Sequence, residues 1–133
     1  MIFLGALAAG VSISASAAPK RVGGLATFTL TPPPAGERSA PFTGKVSSPR
    51  AFCRSHRSIT LTPTSPNFPN TTGYIVHVRS TAKGTFSGIY TTPKKAGTSR
   101  FSLQVTKVRR KVKGQIYLCQ ALRATAASVT TTG

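Results

Sequence analysis

The sequence predicts an all-β fold, a single antiparallel β-sandwich of about seven or eight strands. Three observations carry this expectation. From Phe42 onward apolar residues recur at every second position in short runs, which is the period of a half-buried strand. Gly, Pro, Ser and Asn interrupt those runs about every ten residues. Ser and Thr together number 33, and no capped stretch of helical period follows the first 17 residues.

The chain opens with an uncharged apolar run from Ile2 to Ile13, followed by the small-x-small triplet Ala15-Ser16-Ala17. Residues 1–17 therefore read as a signal segment cleaved after Ala17; the alternative is an N-terminal strand or buried helix. The run is too short to cross a bilayer comfortably, so no stable transmembrane segment is expected after processing. Secretion or attachment to the cell envelope follows. All 18 cations lie beyond the cut, the first being Lys20.

Residues 18–41 read as a proline-rich approach segment. Leu25–Leu30 offers a strand, and Pro32-Pro33-Pro34 then stops any ladder and favours an extended polyproline conformation. The sandwich proper is expected over residues 42–133. Phe42, Gly44 and Val46 alternate with polar residues, as do Ile59 and Leu61. Tyr74, Val76 and Val78 share one side, with Ile75, His77 and Arg79 opposite. Phe86 leads a run through Ile89 and Tyr90. Phe101, Leu103 and Val105 alternate, Ile116 and Leu118 oppose Tyr117 and Cys119, and Val129 lies in a terminal Thr-rich run. Pro63, Pro66 and Pro69 with Asn67 and Asn70 mark a long loop; Lys83-Gly84, Pro93 to Gly97 and Lys113-Gly114 mark others. Ala121 to Ala127 reads as a bend into the last strand.

The charge balance narrows the chemistry. Lys and Arg number 18 against one acid, Glu37, for a net charge of +17. Paired-carboxylate hydrolysis, carboxylate-bound Ca²⁺ or Mg²⁺ and an acid-oriented catalytic triad lack their parts. His56 and His77 are the only histidines and fall short of a usual zinc set. No enzyme activity, metal or cofactor is expected.

Cys53 and Cys119 are the only cysteines. In an exported chain an even count points to a disulfide. The alternative is a reactive thiol or a metal ligand, but neither cysteine sits in a C-x-x-C motif.

The strongest chemical feature is the run Lys107-Val108-Arg109-Arg110-Lys111-Val112-Lys113. Strand alternation places Lys107, Arg109, Lys111 and Lys113 on one side, with Val108, Arg110 and Val112 on the other. This surface suits polyanions: cell-wall polymers, lipid headgroups or nucleic acid. The plainer reading is a solvated hairpin whose cations protect an edge strand from aggregation. Sequence-specific nucleic-acid readout is not expected. The aromatics fall on core-like positions, and no helix-turn-helix or zinc-finger spacing occurs.

From Phe42 onward the pattern resembles the Ig-like or carboxypeptidase-regulatory-like (prealbumin-like) β-sandwich modules of secreted bacterial proteins, especially actinobacterial ones. A G-x-V-x-S strand is matched by Gly44-Lys45-Val46-Ser47-Ser48. A C-x-x-x-R-x-V-x-L segment is approximated by Cys53 to Leu61, with Ile59 at the Val position. A T-x-x-G-x-F hairpin is matched by Thr81 to Phe86. The basic hairpin Lys107 to Lys113 then leads to Cys119 and the Ser/Thr-rich strand Ser128 to Thr132. The stretch between Thr85 and Phe101, with Pro93-Lys94-Lys95-Ala96-Gly97, departs from the pattern and leaves strand pairing there open. The resemblance implies an exported, non-enzymatic module with a structural or adhesive role at the cell envelope. The alternative is a secreted cationic protein that binds polyanions through Lys107–Lys113.

Overall fold

The computed structural model describes residues 18–131; the expected signal segment lies outside them. Ten strands follow in order: β1 Lys20–Val22, β2 Leu25–Leu30, β3 Ser39–Ser47, β4 Ser58–Pro63, β5 Val76–Arg79, β6 Thr85–Thr91, β7 Gly97–Val105, β8 Val108–Val112, β9 Gln115–Cys119 and β10 Leu122–Thr131. Two short 3-10 turns, Ala51–Cys53 and Thr72–Tyr74, interrupt the connections.

The strands form three sheets, ordered β2-β3-β6, β10-β7-β4-β5 and β1-β9-β8. Every pairing in the first two is antiparallel. These two sheets enclose the main core, and β10 lies beside β2 while β5 lies beside β6. The inward rows are the alternating residues of the sequence. Phe101, Leu103 and Val105 on β7 lie beside Ile59 and Leu61 on β4 on one sheet, with Phe42 and Val46 on β3 and Phe86 and Tyr90 on β6 supplying the other side of the core. Each large apolar side chain buried this way contributes about 1.5–3 kcal/mol. The fold is all-β, as the period-two pattern requires.

Two glycines set the spacing of β3 against β6. Phe42 pairs with Gly88, and Gly44 pairs with Phe86. A Cβ on Gly44 would lie 2.2 Å from the Phe86 ring and 2.5 Å from the Thr27 carbonyl oxygen, and one on Gly88 would lie 2.8 Å from the Phe42 ring. Each ring thus occupies the space its cross-strand partner leaves, packing two aromatics where a pleated sheet would otherwise crowd.

Several expectations need correction. Residues 18–41 do not merely lead into the domain. They supply β1, β2 and the start of β3, and Ala26 and Leu30 enter the main core. The sandwich also carries a third, mixed sheet, in which β1 runs parallel to β9. A parallel pair needs a long crossover, and nearly the whole domain lies between these two strands. Tyr74 is not in a strand: it ends the turn Thr72–Tyr74, and β5 begins at Val76. The bend expected at Ala121–Ala127 is a register shift between Ala124 and Ala127 within β10.

Candidate polyanion-binding site

The basic run folds as β8 and its turn into β9. Val112 pairs with Gln115, so Lys113-Gly114 is a two-residue hairpin loop. Lys113 has φ +50° and Gly114 φ +82°, the paired positive values that match such a loop to the strand twist. Lys107, Arg109, Lys111 and Lys113 are exposed; Val108, Arg110 and Val112 are half-buried. The strand row itself holds Arg109 and Lys111, while Lys107 precedes β8 and Lys113 lies in the loop that follows it.

Register extends the charged face across the sheet. Arg109 pairs with Leu118, which pairs in turn with Arg21 on β1. Lys111 pairs with Ile116. Directly paired residues share a sheet face, so Arg21, Arg109 and Lys111 frame the half-buried Leu118 and Ile116. Arg21 and Arg109 stand two strand spacings apart, about 9.5 Å. The sequence gives no signal for Arg21, because a parallel pairing between β1 and β9 is invisible to local periodicity.

Arg110 differs from the other four cations. Its Nε donates to the Phe52 carbonyl at 3.2 Å and its Nη2 to the Ser55 carbonyl at 2.9 Å. This guanidinium fastens the inner face of the hairpin to the loop between β3 and β4, and its Nε and Nη2 are engaged in doing so. Tyr117 lies on the same inner face, 4.8 Å from the Phe52 ring, with Arg50 stacked 5.6 Å over it.

The anchorage of the hairpin is covalent as well. Cys53 and Cys119 form a disulfide with Cα atoms 5.4 Å apart. With Val22 they make a small second core against which Phe52, Val108 and Tyr117 pack. Beside it lies Arg57, the Arg of the C-x-x-x-R segment, whose burial the sequence does not reveal. Its Nη1 donates to the Cys53 carbonyl at 2.7 Å, and its Nη2 to the carbonyls of Thr106 and Gln120, each at 2.9 Å. One side chain thus ties the turn before β4, the end of β7 and the end of β9. Burial, and then the nearby Arg110 charge, lower its pKa from the usual arginine value, yet an arginine remains charged at neutral pH. Three carbonyl dipoles stand where a carboxylate would otherwise pair with it. Ser80 completes the junction, its hydroxyl accepting from the Arg57 amide and donating to the Arg54 carbonyl, both at 2.8 Å.

At the same end, Lys45, Arg54 and Lys83 line a shallow cleft of about 290 Å³. These cations come from three separate segments, so no run in the sequence announces them. His56 adopts φ +51° in the loop before β4, and His77 meets the Thr60 hydroxyl at 3.2 Å on the outer face of β5. Among the described residues no cluster of His, Cys, Asp or Glu is placed to hold a metal, and no helix is long and apolar enough to cross a membrane. No protein-family model, curated protein or solved structure matches the chain.

Proposed function

We propose that the chain is a secreted binding module of the cell envelope, an Ig-like β-sandwich that holds anionic polymers on its β8–β9 hairpin. The observation that carries this reading is the division of labour in the basic run. Arg110 and the disulfide fix the hairpin from within, while Lys107, Arg109, Lys111 and Lys113 point to solvent. With Glu37 the sole acid, almost nothing in the chain can neutralise them. An external polyanion gains by releasing counterions as it meets such a face.

The topology supports the Ig-like placement. Setting β1 and the β8–β9 hairpin aside, seven strands remain, with the first, second and fifth in one sheet and the third, fourth, sixth and seventh in the other. The immunoglobulin arrangement has the same order except for its fourth strand, which there joins the first sheet. In this scheme the β3–β4 connection and the β7–β10 connection are the loops that bind ligands in variable domains. Here the disulfide joins those two connections, and a disulfide suits an oxidising compartment outside the cytoplasm.

Affinity for a DNA duplex and for an anionic cell-wall polymer, measured across a salt series, tests the reading. Binding should be insensitive to sequence and should weaken steeply as salt rises. Absence of binding even at low salt would overturn it. That result would leave β8, the edge strand of its sheet, with cations that serve only to discourage edge-to-edge pairing.

A further inference from the structure

The end of the sandwich remote from the hairpin carries a hollow of a different character. It lies where β4 and β6 end and β3, β5 and β7 begin, and it is an open hollow of about 430 Å³. That volume falls within the range of small-molecule sites. Phe68 and Tyr74 form its aromatic wall, with Pro66 and Pro69 beside them. Arg38, Lys94 and Lys95 stand at its rim and are exposed. Arg38, Pro93 and Lys94 also line an adjoining hollow of about 270 Å³ beneath Pro33 and Pro34. The two hollows therefore meet at a pair of cations.

The wall is built rather than incidental. Phe68 is nearly buried and meets Tyr74 edge-on at 4.9 Å and Phe101 at 5.4 Å; Phe101 meets Tyr90 at 5.3 Å. The aromatic surface is thus continuous with the main core. The loop that carries Phe68 is pinned to β7 just before that residue. The Ser65 hydroxyl accepts from the Arg100 amide and donates to Asn67, whose side-chain amide donates to the Ser99 hydroxyl. On the rim, the Arg38 carbonyl accepts from both the amide and the hydroxyl of the buried Thr92. A hollow held this firmly needs little ordering when a ligand enters.

We propose that this hollow is a second binding site, one that takes a small organic anion with a planar apolar body. The aromatic and proline wall accepts the flat body by stacking and exclusion of water. The anionic group then meets Arg38 and Lys94 where the two hollows join. The prolines lack N–H donors, so recognition of the anion falls to these side chains and to Lys95. No carboxylate lines the larger hollow, whereas Glu37 lies in the smaller one. The bulk of the anion therefore belongs on the aromatic side. This site shares no residue with the hairpin, and it stands or falls independently of the polymer-binding reading.

The test is calorimetric titration of the intact protein with 1-naphthoate, using neutral 1-naphthalenemethanol as the control of matched shape. Naphthoate should bind saturably and at least about tenfold more tightly than the alcohol. Tyr74→Ala and the double variant Lys94→Gln/Lys95→Gln should each weaken naphthoate by about tenfold or more. The lysine pair is exposed, so its variant keeps the wild-type melting temperature and remains informative if Tyr74→Ala unfolds. Arg109→Gln/Lys111→Gln should leave naphthoate binding unchanged. Equal affinity for acid and alcohol, no saturable binding, or a loss caused equally by the β8 variant would each overturn the proposal.

Discussion

The Arg57 guanidinium and the Cys53 carbonyl are joined by a 2.7 Å hydrogen bond, so a buried cation and one end of the disulfide hold the same point of the chain. The carbonyls of Thr106 and Gln120 complete the cage, and Nε alone has no partner. A buried arginine without a carboxylate is costly to desolvate. It persists here because it satisfies three backbone acceptors, one of which, the Cys53 carbonyl, belongs to a turn outside the sheet ladders. Removing it leaves those carbonyls unpaired.

Arg57→Met, which keeps the volume and removes the donors, is expected to destabilise the domain by about 3 kcal/mol or more. For a domain of this size that lowers the melting temperature by about 12 °C or more. Arg57→Lys keeps the charge but cannot span three acceptors with the same geometry, and should fall between the two. Thermal denaturation followed by circular dichroism measures both. A Met variant as stable as the parent would show that the cage is dispensable.

Reduction of the Cys53–Cys119 bond tests the second tie. The cysteines are 66 residues apart, and closure of a loop that long restricts the unfolded chain by about 4 kcal/mol. The reduced protein should melt about 15 °C or more below the oxidised one. Because Arg57 and the disulfide share the Cys53 segment, their losses are not expected to add. The double variant Arg57→Met/Cys53→Ser should cost less than the two separate losses together.

The difference between what was legible and what was not follows the range of the interactions. The inward rows of β4 and β7 were visible because their period-two signal is local: Ile59 and Leu61 on β4, and Phe101, Leu103 and Val105 on β7, all alternate with polar neighbours. Lys113-Gly114 was readable as a turn for the same reason. Arg57 was readable as a position in the C-x-x-x-R segment, but its burial was not. It sits among Ser55, His56 and Ser58 and looks like one more exposed cation; only contacts with Thr106 and Gln120, far along the chain, bury it. β1 was missed because three residues between Pro19 and Gly23-Gly24 carry no periodicity, and its partner β9 lies at the other end of the sequence. The aromatic hollow was hidden for a related reason. Phe68 lies in a segment dense in Pro and Asn, which reads as a solvated loop until Ser65 and Asn67 are seen to bind β7.

Gly44 illustrates a residue whose role depends on its partner strand. Gly44→Ala places a methyl group against the Phe86 ring and the Thr27 carbonyl. Overpacking of this kind costs about 1–3 kcal/mol, and a clash with backbone on one side leaves little room for relief. A loss near 3 kcal/mol is expected. Phe86→Leu in the same background should relieve the ring contact but not the contact with Thr27, so rescue should be partial. Urea denaturation of the two variants and the parent gives the comparison. Full rescue would show that the Thr27 contact is of no consequence.

The five cations of the basic run should separate into two classes when neutralised one at a time or in pairs. Arg109→Gln/Lys111→Gln removes two exposed charges and touches no hydrogen bond to the rest of the domain. Stability should change by less than about 0.5 kcal/mol, while duplex-DNA affinity falls and the salt slope flattens by about 1.8, the value for two fewer phosphates neutralised. Arg21→Gln should act in the same direction, because its register places it on the same face beyond Leu118. Arg110→Gln should do the reverse. It frees the carbonyls of Phe52 and Ser55, so melting temperature should fall by about 4–8 °C for each kcal/mol lost. The salt slope of the remaining folded protein should stay close to that of the parent, since this guanidinium faces inward. Salt-dependent affinity and thermal melting of all three variants decide the matter. An Arg110→Gln variant that keeps its stability but loses as much slope as the others would place its charge in the binding face and contradict its assignment as an anchor.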